Sequence, residues 1–493
     1  MTTMAEKHQP EGTVSVLGDE KRSITDSQGP VNTSSSIYID PAKEKAVLRK
    51  FDIYLLPAAF CLILLNYIDR SNLGNARVFG FEESLGLTGN QFGNLVTLFF
   101  VPYIVMEVFW VTALKRIGPN YVIAVAATGW CAVTMGTGFV RNYSQALACR
   151  MLLGFFEAGV PPAFTFLFSM VYSRESTAKR VALINFANAV SGAFGGLLAY
   201  SIQRMGERRG LEAWRWLFII EGAVSLAICF ACIGVIPNKP ETAWFLTEDD
   251  KALMRLRKER DNVYKGEDKF EWKWVRLALT DPFVYVASLA FFTSSVAIFG
   301  YGMFLPTLIR GFGYDSFQAN YLTIPVYALG ACSLLTQAYW SDRLRRRAMF
   351  LLMSAVPVIT AYLIIIGTDS RTAGYAAMFI LVLGVYSFSC LMMTWVATSL
   401  VPDYKRSVGL PIFASIGNCS GLVSGQLYPA SHAPRYIMGN SVSVGLEFVA
   451  AFFVVATWFL LRRRNQMKEK KLAEGATTNG FNDDRGLDFK YIL

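Results

Sequence analysis

Residues 150–162 read Arg150-Met-Leu-Leu-Gly-Phe-Phe-Glu157-Ala-Gly-Val-Pro-Pro, so an arginine and a glutamate stand inside a long apolar segment. An α-helix turns by about 100° per residue, which places Arg150, Gly154 and Glu157 on one narrow stripe. An ionisable side chain inside a membrane span costs about 2.5–3.5 kcal/mol, and it marks a functional surface by default. The stripe therefore predicts a membrane helix that turns this face toward the interior of a helix bundle.

Apolar windows recur on both sides of this stretch and fall into two groups, separated by a polar segment. The first group covers 51–72, 90–114, 121–140, 146–172, 180–202 and 214–236; the second covers 281–308, 317–340, 348–367, 372–401, 408–428 and 438–461. Each window has about the 20 residues that a spanning helix needs. We therefore predict an all-α membrane protein with twelve transmembrane helices in two pseudo-symmetric six-helix halves.

Charge distribution sets the expected orientation of these spans. The predicted parts are 1–50, a disordered cytosolic tail; 51–236, the first half; 237–280, a cytosolic central loop; 281–461, the second half; and 462–493, a cytosolic tail. With both termini in the cytosol, most of the 47 Lys and Arg residues lie in cytosolic segments. This is the bias that membrane proteins show, and we expect a multi-pass protein of the plasma membrane that functions as a monomer.

Composition excludes several classes of function. The chain is 53% hydrophobic and only 17% charged, too little charge for a soluble domain of this size. Its net charge of +10 comes from short basic clusters between apolar windows, so nucleic acid is not an expected partner. Two histidines cannot form a histidine-based metal site, and no nucleophile–base arrangement is visible. We expect neither an enzyme nor a bound cofactor or metal.

The carboxyl group of Glu157 has two interpretations. As a buried acid in the fourth window, it could load and release a proton during transport. Alternatively, Arg150 and Glu157 form a structural pair that locks two helices together. In either case we expect Arg150 to be the charge that faces Glu157.

The first window ends in a second polar group, Asn66-Tyr-Ile-Asp69-Arg70-Ser-Asn. Asn66 and Arg70 are four residues apart and share a helix face, with Asp69 beside them. We predict that Asp69 pairs with Arg70 until a substrate carboxylate competes for the guanidinium. The alternative is an interfacial pair that reaches out to water. Farther along, Asn185 in the fifth window and Asn418 in the eleventh offer amide donors to a ligand.

Several motifs occur together in one order. They are Tyr67-Ile-Asp-Arg-Ser-Asn-Leu-Gly-Asn-Ala, Leu114-Lys-Arg-Ile-Gly-Pro, Arg150-x-x-x-Gly-x-x-Glu-Ala-Gly, Trp214-Arg-Trp-Leu-Phe-Ile-Ile-Glu-Gly, Phe304-Leu-Pro-Thr and Ile416-Gly-Asn. In these motifs the chain resembles the anion:cation symporter branch of the major facilitator superfamily. It is similar there to the fungal allantoate, nicotinate and pantothenate permeases. One departure is Phe109-Trp110-Val111, where those relatives usually show Pro-Ser-Asn.

This resemblance implies roles for individual residues. Asp69 and Glu157 would carry protons, and Arg150 would tune Glu157. Arg70 would face the substrate carboxylate. The remaining ligand-facing positions of the family correspond to Tyr67, Thr394 and Trp395.

The expected function is therefore proton-coupled symport of a small organic anion, by alternating access between the two halves. Protons, the anion and the lipid bilayer are the expected partners. An exporter of an acidic secondary metabolite is the first alternative, although the Ser191-Gly-Ala-Phe-Gly-Gly segment has no proline of the kind that marks such exporters. A nutrient receptor that does not transport is the second alternative.

Overall fold

The computed structural model describes residues 39–493, except 173, 266–271, 477–478, 480, 482 and 488. The helices of the first half are α1 (Pro41–Val78), α2 (Phe81–Ser84), α3 (Gln91–Ile117), α4 (Pro119–Thr137), α5 (Tyr143–Glu157), α6 (Val160–Val171), α7 (Arg174–Gln203) and α8 (Ala213–Ile233). The central segment contains a 3-10 turn (Pro240–Thr242), α9 (Glu248–Lys265) and α10 (Trp272–Leu279). The second half contains α11 (Pro282–Gly311), α12 (Ser316–Tyr321), α13 (Thr323–Leu344), α14 (Arg347–Gly367), α15 (Arg371–Ser399), α16 (Asp403–Asn418), α17 (Ser420–Ser424), a 3-10 turn (Ala430–His432) and α18 (Ile437–Ala473).

The predicted all-α membrane fold is confirmed. Within the described residues, nine helical segments are long and apolar enough to cross a membrane. Three further helices, α4, α7 and α13, fill the remaining predicted windows with 19, 30 and 22 residues. They carry polar residues toward their ends, such as Asn120, Arg180 and Asp342, and these residues lower the mean hydropathy of the helices. The count of twelve spans stays a prediction.

The first helix begins earlier than predicted. Asp40 accepts a hydrogen bond from the backbone nitrogen of Ala42 at 2.9 Å, and Pro41 occupies the first helical position. Both features favour a helix start, because a cap satisfies a free backbone N–H and proline has none to satisfy. The disordered tail predicted for 41–50 is therefore wrong; residues 1–38 lie outside the described residues.

The predicted fourth span is interrupted at Ala158 and Gly159, between α5 and α6. Pro161 and Pro162 cannot donate backbone hydrogen bonds to the preceding turn, so the helix has to restart there. The indole nitrogen of Trp110 donates to the backbone oxygen of Phe155 at 2.7 Å. Trp110, a residue that differs from the usual sequence of the similar fungal permeases, thus provides a hydrogen-bond donor to a backbone carbonyl near the break.

The two halves meet mainly through α1 with α11, α3 with α17 and α7 with α13. At the predicted outer end, Arg77 donates to the backbone oxygen of Tyr428 at 3.3 Å. The amide nitrogen of Gln426 donates to Asn94 at 3.1 Å and to Thr97 at 3.0 Å. These bonds join the halves and close the predicted outer end of the molecule.

The inner ends of the halves are held by different segments. In the first half, Glu44 of α1 pairs with Arg257 and Arg260 of α9, each at 3.0 Å. In the second half, the buried ammonium of Lys405 pairs with Asp484 of the C-terminal segment at 2.8 Å and with Asp281 at 2.5 Å. The segment predicted as a tail after residue 461 therefore continues as helix to Ala473 and then folds back against the second half.

The outer closure depends on the close approach of α1 to α11 at Gly74. A methyl group at this position would lie 1.8 Å from the backbone oxygen of Met303. Overpacking typically costs about 1–3 kcal/mol, so Gly74→Ala should lower the population closed at this end by about 5- to 150-fold. We expect a cysteine placed at Ser71, which lines the cavity between the halves, to react faster with an impermeant maleimide applied outside.

Gly136→Ala is the matched control, because nothing lies within 4 Å of a methyl group at Gly136. Both variants are made in a background without native cysteines. Equal labelling rates in the two variants would contradict the role of Gly74 in closure.

Candidate functional site

A cavity of about 60 Å³ lies between the two halves and draws its lining from both. The lining residues from the first half include Tyr67, Arg70, Phe99, Phe100, Arg150, Asn188 and Ser191, and those from the second half include Phe299, Met303, Tyr327, Tyr386 and Ser424. Aromatic side chains thus surround two arginines. A cavity of this composition suits a small molecule that has a planar apolar part and a negative group.

Arg70 is the central charge of this cavity. Its Nε donates to Oε2 of Glu157 at 2.6 Å. The guanidinium carbon lies 4.6 Å from the ring centre of Tyr103, 5.3 Å from Phe99 and 5.4 Å from Tyr67. Within the described residues its Nη2 has no hydrogen-bond partner. Arg70 is therefore held by one carboxylate and three aromatic rings, with a donor still free.

The predicted pairing of Arg150 with Glu157 is wrong in this structure. Glu157 is fully buried and pairs with Arg70 instead, while Arg150 lies 5.9 Å from the ring centre of Phe218. Seven residues along a helix correspond to a rise of about 10 Å, so two side chains on one stripe do not meet unless both bend toward each other. Arg70 approaches Glu157 from another helix and has no such constraint.

The predicted pairing of Asp69 with Arg70 is also wrong. Oδ2 of Asp69 accepts a hydrogen bond from the indole nitrogen of Trp130, and Asp69 is 1% exposed. Consecutive residues of a helix point about 100° apart, so Arg70 reaches the cavity while Asp69 points into the first half. The Asp69 carboxyl and the Arg70 guanidinium therefore contact different partners.

The ligand-facing positions predicted on α15 are not brought to the cavity. Trp395 is fully buried in the second half, and its indole nitrogen donates to the backbone oxygen of Ile492 at 2.8 Å. Thr394 donates to the backbone oxygen of Cys390, one turn earlier in its own helix. The cavity is lined instead by Tyr386 of the same helix. The folded C-terminal segment, which leaves no signature in the apolar pattern, occupies the space beside Trp395.

Of the two predicted asparagines, only Asn418 has a described side chain, and it lies elsewhere. Asn418 faces the carboxyl of Glu107 on α3 and is not among the cavity-lining residues. The side chain of Asn185 lies outside the described residues, and Asn188, one turn farther along α7, lines the cavity. Tyr67 does line the cavity as predicted, although its role as a ligand contact stays a prediction.

Several residues of the site were missed by sequence reasoning. Phe99 and Tyr103 of α3 enclose Arg70, and their four-residue spacing was a visible signal of a shared helix face. Tyr327 and Tyr386 had no comparable signal, because tyrosine is frequent in this chain and only packing selects these two. In the part of the chain that the structure describes, no group of three or more His, Cys, Asp or Glu residues is arranged to hold a metal ion.

The family model of the Major Facilitator Superfamily matches residues 59–426. The chain belongs to the major facilitator superfamily. Members of this superfamily are secondary transporters, and this major facilitator protein is accordingly an integral multi-pass membrane transporter and not an enzyme.

Two fungal transporters are similar over nearly the whole of this major facilitator protein. An uncharacterized transporter of Schizosaccharomyces pombe is 35% identical over 93% of this chain and 92% of its own length. The high-affinity nicotinic acid transporter of Saccharomyces cerevisiae is 33% identical over 91% of this chain and 85% of its own length. The expected resemblance to fungal permease-like transporters is thereby confirmed.

Solved structures show the same fold at low sequence identity. The xylose transporter XylE from E. coli, in a partially occluded inward-open conformation, has a TM-score of 0.68 at 13% identity and covers 83% of this chain and 98% of its own. A bacterial homolog of the lysosomal transporter Spinster has a TM-score of 0.63 at 16% identity, over 86% of this chain and 98% of its own. At such identities the likeness concerns the fold alone.

Proposed function

We propose that this protein couples the transport of a small organic anion to protons by alternating access. The observation that carries the proposal is the ion pair between Arg70 and Glu157 in the wall of the cavity. The arginine side chain is 14% exposed and the carboxylate is fully buried. A substrate carboxylate can replace Glu157 on the guanidinium, but the displaced acid then has to be neutral.

The coupling follows from the cost of burying charge. An isolated carboxylate inside a protein is strongly disfavoured, so Glu157 deprived of Arg70 binds a proton rather than remaining ionised. A substrate anion that occupies Arg70 therefore promotes protonation of Glu157, and protonation of Glu157 promotes binding of the anion. By linkage the two effects are equal in free energy. One proton then accompanies each anion at this site.

The surroundings of Arg70 favour a planar acid. Guanidinium binds a carboxylate through two parallel N–H donors, and the rings of Tyr67, Phe99 and Tyr103 offer stacking surfaces beside it. An aromatic monocarboxylate of the nicotinate type combines both features. The 33% identity to a nicotinic acid transporter supports the same substrate class.

The direction and location of transport are part of this proposal. The distribution of Lys and Arg residues supports cytosolic termini, and the plasma membrane is the proposed location. The proposed direction is import, because an inward proton gradient would drive the anion into the cell. We expect one polypeptide to suffice, because the cavity is formed by the two halves of a single chain.

The test is uptake of labelled nicotinate into proteoliposomes that are more acidic outside than inside. Nicotinamide is the matched control ligand, since it keeps the ring and lacks the carboxylate. Each pH unit should drive about tenfold accumulation for each coupled proton, and nicotinamide should not accumulate. Uptake should collapse when a protonophore removes the gradient.

Other results would contradict the proposal in distinct ways. Accumulation of nicotinate inside the liposomes only when their interior is the more acidic side would indicate an exporter that exchanges the anion for protons. Binding of nicotinate without any flux would indicate a receptor. Flux of other monocarboxylates, with the same dependence on the gradient, would preserve the mechanism and change only the substrate.

A further inference from the structure

The surroundings of Arg77, at the predicted outer end, repeat the arrangement found around Arg70. The Arg77 side chain is 6% exposed, and its Nε lies 2.9 Å from Oε1 of Glu82. Its guanidinium carbon lies 4.4 Å from the ring centre of Phe92 and 5.5 Å from that of Phe304. Arg70 and Arg77 are thus each held by one carboxylate and by aromatic rings.

The two arginines lie on one face of α1. Seven residues of an α-helix make almost two full turns and a rise of about 10 Å, so Arg77 follows Arg70 toward the predicted outer end. Gly74 lies between them on the same face, where a methyl group would be 1.8 Å from the backbone oxygen of Met303 on α11. In this closed outer end, the contact between α1 and α11 therefore lies between the two arginines.

Opening of the outer end would divide the partners of Arg77. Glu82 and Phe92 belong to the first half and stay with α1. Phe304 and Tyr428 belong to the second half, and the backbone oxygen of Tyr428 accepts a hydrogen bond from Nη1 of Arg77 at 3.3 Å. Separation of the halves at this end removes that acceptor, and a charged donor left without an acceptor is costly. An anion that enters the opening can supply the missing acceptor.

We propose that Arg77 is an entry site for the substrate anion in the outward-open state, from which the anion passes along α1 to Arg70. The substrate carboxylate takes the place of the Tyr428 oxygen on the guanidinium, and Phe92 offers a stacking surface to a planar acid. Glu82 remains on Nε and partly neutralises Arg77, so the anion is held weakly enough to move on. This inference rests on the proposed function, which is import of an aromatic monocarboxylate.

The alternative is that Arg77 only closes the outer end, and the charge of a probe separates the two roles. In a background without native cysteines, Ser71→Cys is labelled from outside with two impermeant methanethiosulfonates. One reagent carries a negative sulfonate and the other a positive trimethylammonium group. Both reach the cysteine through the same opening, so the ratio of their rates reports the charge along the path and is independent of how often this end opens.

Arg77→Gln should lower the ratio of the sulfonate rate to the trimethylammonium rate at least about fivefold. The reason is that a positive charge about 10 Å away attracts one reagent and repels the other. The same variant should raise KM for nicotinate uptake at least about fivefold, with kcat within about twofold of the wild type. Arg77→Lys keeps the charge and should keep the labelling ratio within about twofold. Arg141→Gln, which removes an exposed arginine from a predicted outer loop, is the matched control and should change neither the ratio nor KM by more than about twofold.

Several results would overturn the inference. Equal changes in the two labelling rates of Arg77→Gln would show that Arg77 only closes the outer end, and an unchanged KM would show that it does not hold the substrate. If Arg77→Gln does not reach the membrane, Glu82→Gln tests the same site, because it keeps Arg77 and removes the neutralising carboxylate. The labelling ratio should then rise at least about fivefold, and an unchanged ratio would contradict the entry site. Labelling needs no transport, so failure of the wild type to take up nicotinate would refute the proposed function, whereas the ratio would still test Arg77 as an anion site.

Discussion

Replacing Arg70 with lysine is expected to lower nicotinate uptake at least about 30-fold, without preventing folding or membrane insertion. Hydrogen bonds to charged groups are typically worth about 1.5–3 kcal/mol, and a loss of 2 kcal/mol corresponds to about 30-fold. Lysine keeps the positive charge and can still pair with Glu157. It cannot bind a carboxylate through two parallel donors, however, and its compact ammonium stacks poorly on the rings of Phe99 and Tyr103.

The measurement is the initial rate of proton-driven uptake at a substrate concentration well below saturation. Arg204→Lys is the matched control, because Arg204 also lies over a tyrosine ring, 5.0 Å from the centre of Tyr200, but is exposed and outside the cavity. It should retain uptake within about twofold. Normal uptake by Arg70→Lys, or equal loss in both variants, would remove Arg70 from substrate binding.

Replacing Glu157 with glutamine is expected to abolish net uptake while exchange of substrate across the membrane continues. Arg70 is balanced by Glu157 in the empty state and by the anion in the loaded state. Without the carboxylate, the empty transporter has to carry a buried and unpaired guanidinium through its closed state, which is strongly disfavoured. The loaded transporter has no such difficulty, because the anion itself neutralises Arg70.

Two assays on the same preparation test this prediction. Accumulation driven by one pH unit should fall from about tenfold to none, whereas counterflow should stay within about threefold of the wild type. Glu447→Gln, which neutralises a fully buried acid outside the cavity, serves as the control, and both of its activities should persist. Loss of both activities in Glu157→Gln would indicate that the pair with Arg70 is needed for the fold, and retention of driven uptake would exclude Glu157 from coupling.

The sequence alone was sufficient to predict the class of fold and to single out particular charged residues as functional candidates. Apolar windows of about 20 residues require membrane helices, because an unpaired backbone is too costly in lipid. Burying a charged side chain in a membrane span is also costly. That cost indicated a functional role for Asp69, Arg70, Arg150 and Glu157. These conclusions need only the local pattern, since each concerns one residue and its own helix.

Which charges meet was decided by the tertiary structure. Helical periodicity put Arg150 and Glu157 on one stripe and Asp69 next to Arg70, yet neither predicted pair forms. Arg70 meets Glu157, and Asp69 meets Trp130, from different helices. Such meetings depend on the rotation and separation of whole helices, which periodicity within one helix does not contain. The same reason explains Trp395, whose neighbour Ile492 lies 97 residues away along the chain. Sequence therefore determined which side chains are unusual, and the packing of the helices determined what each of them contacts.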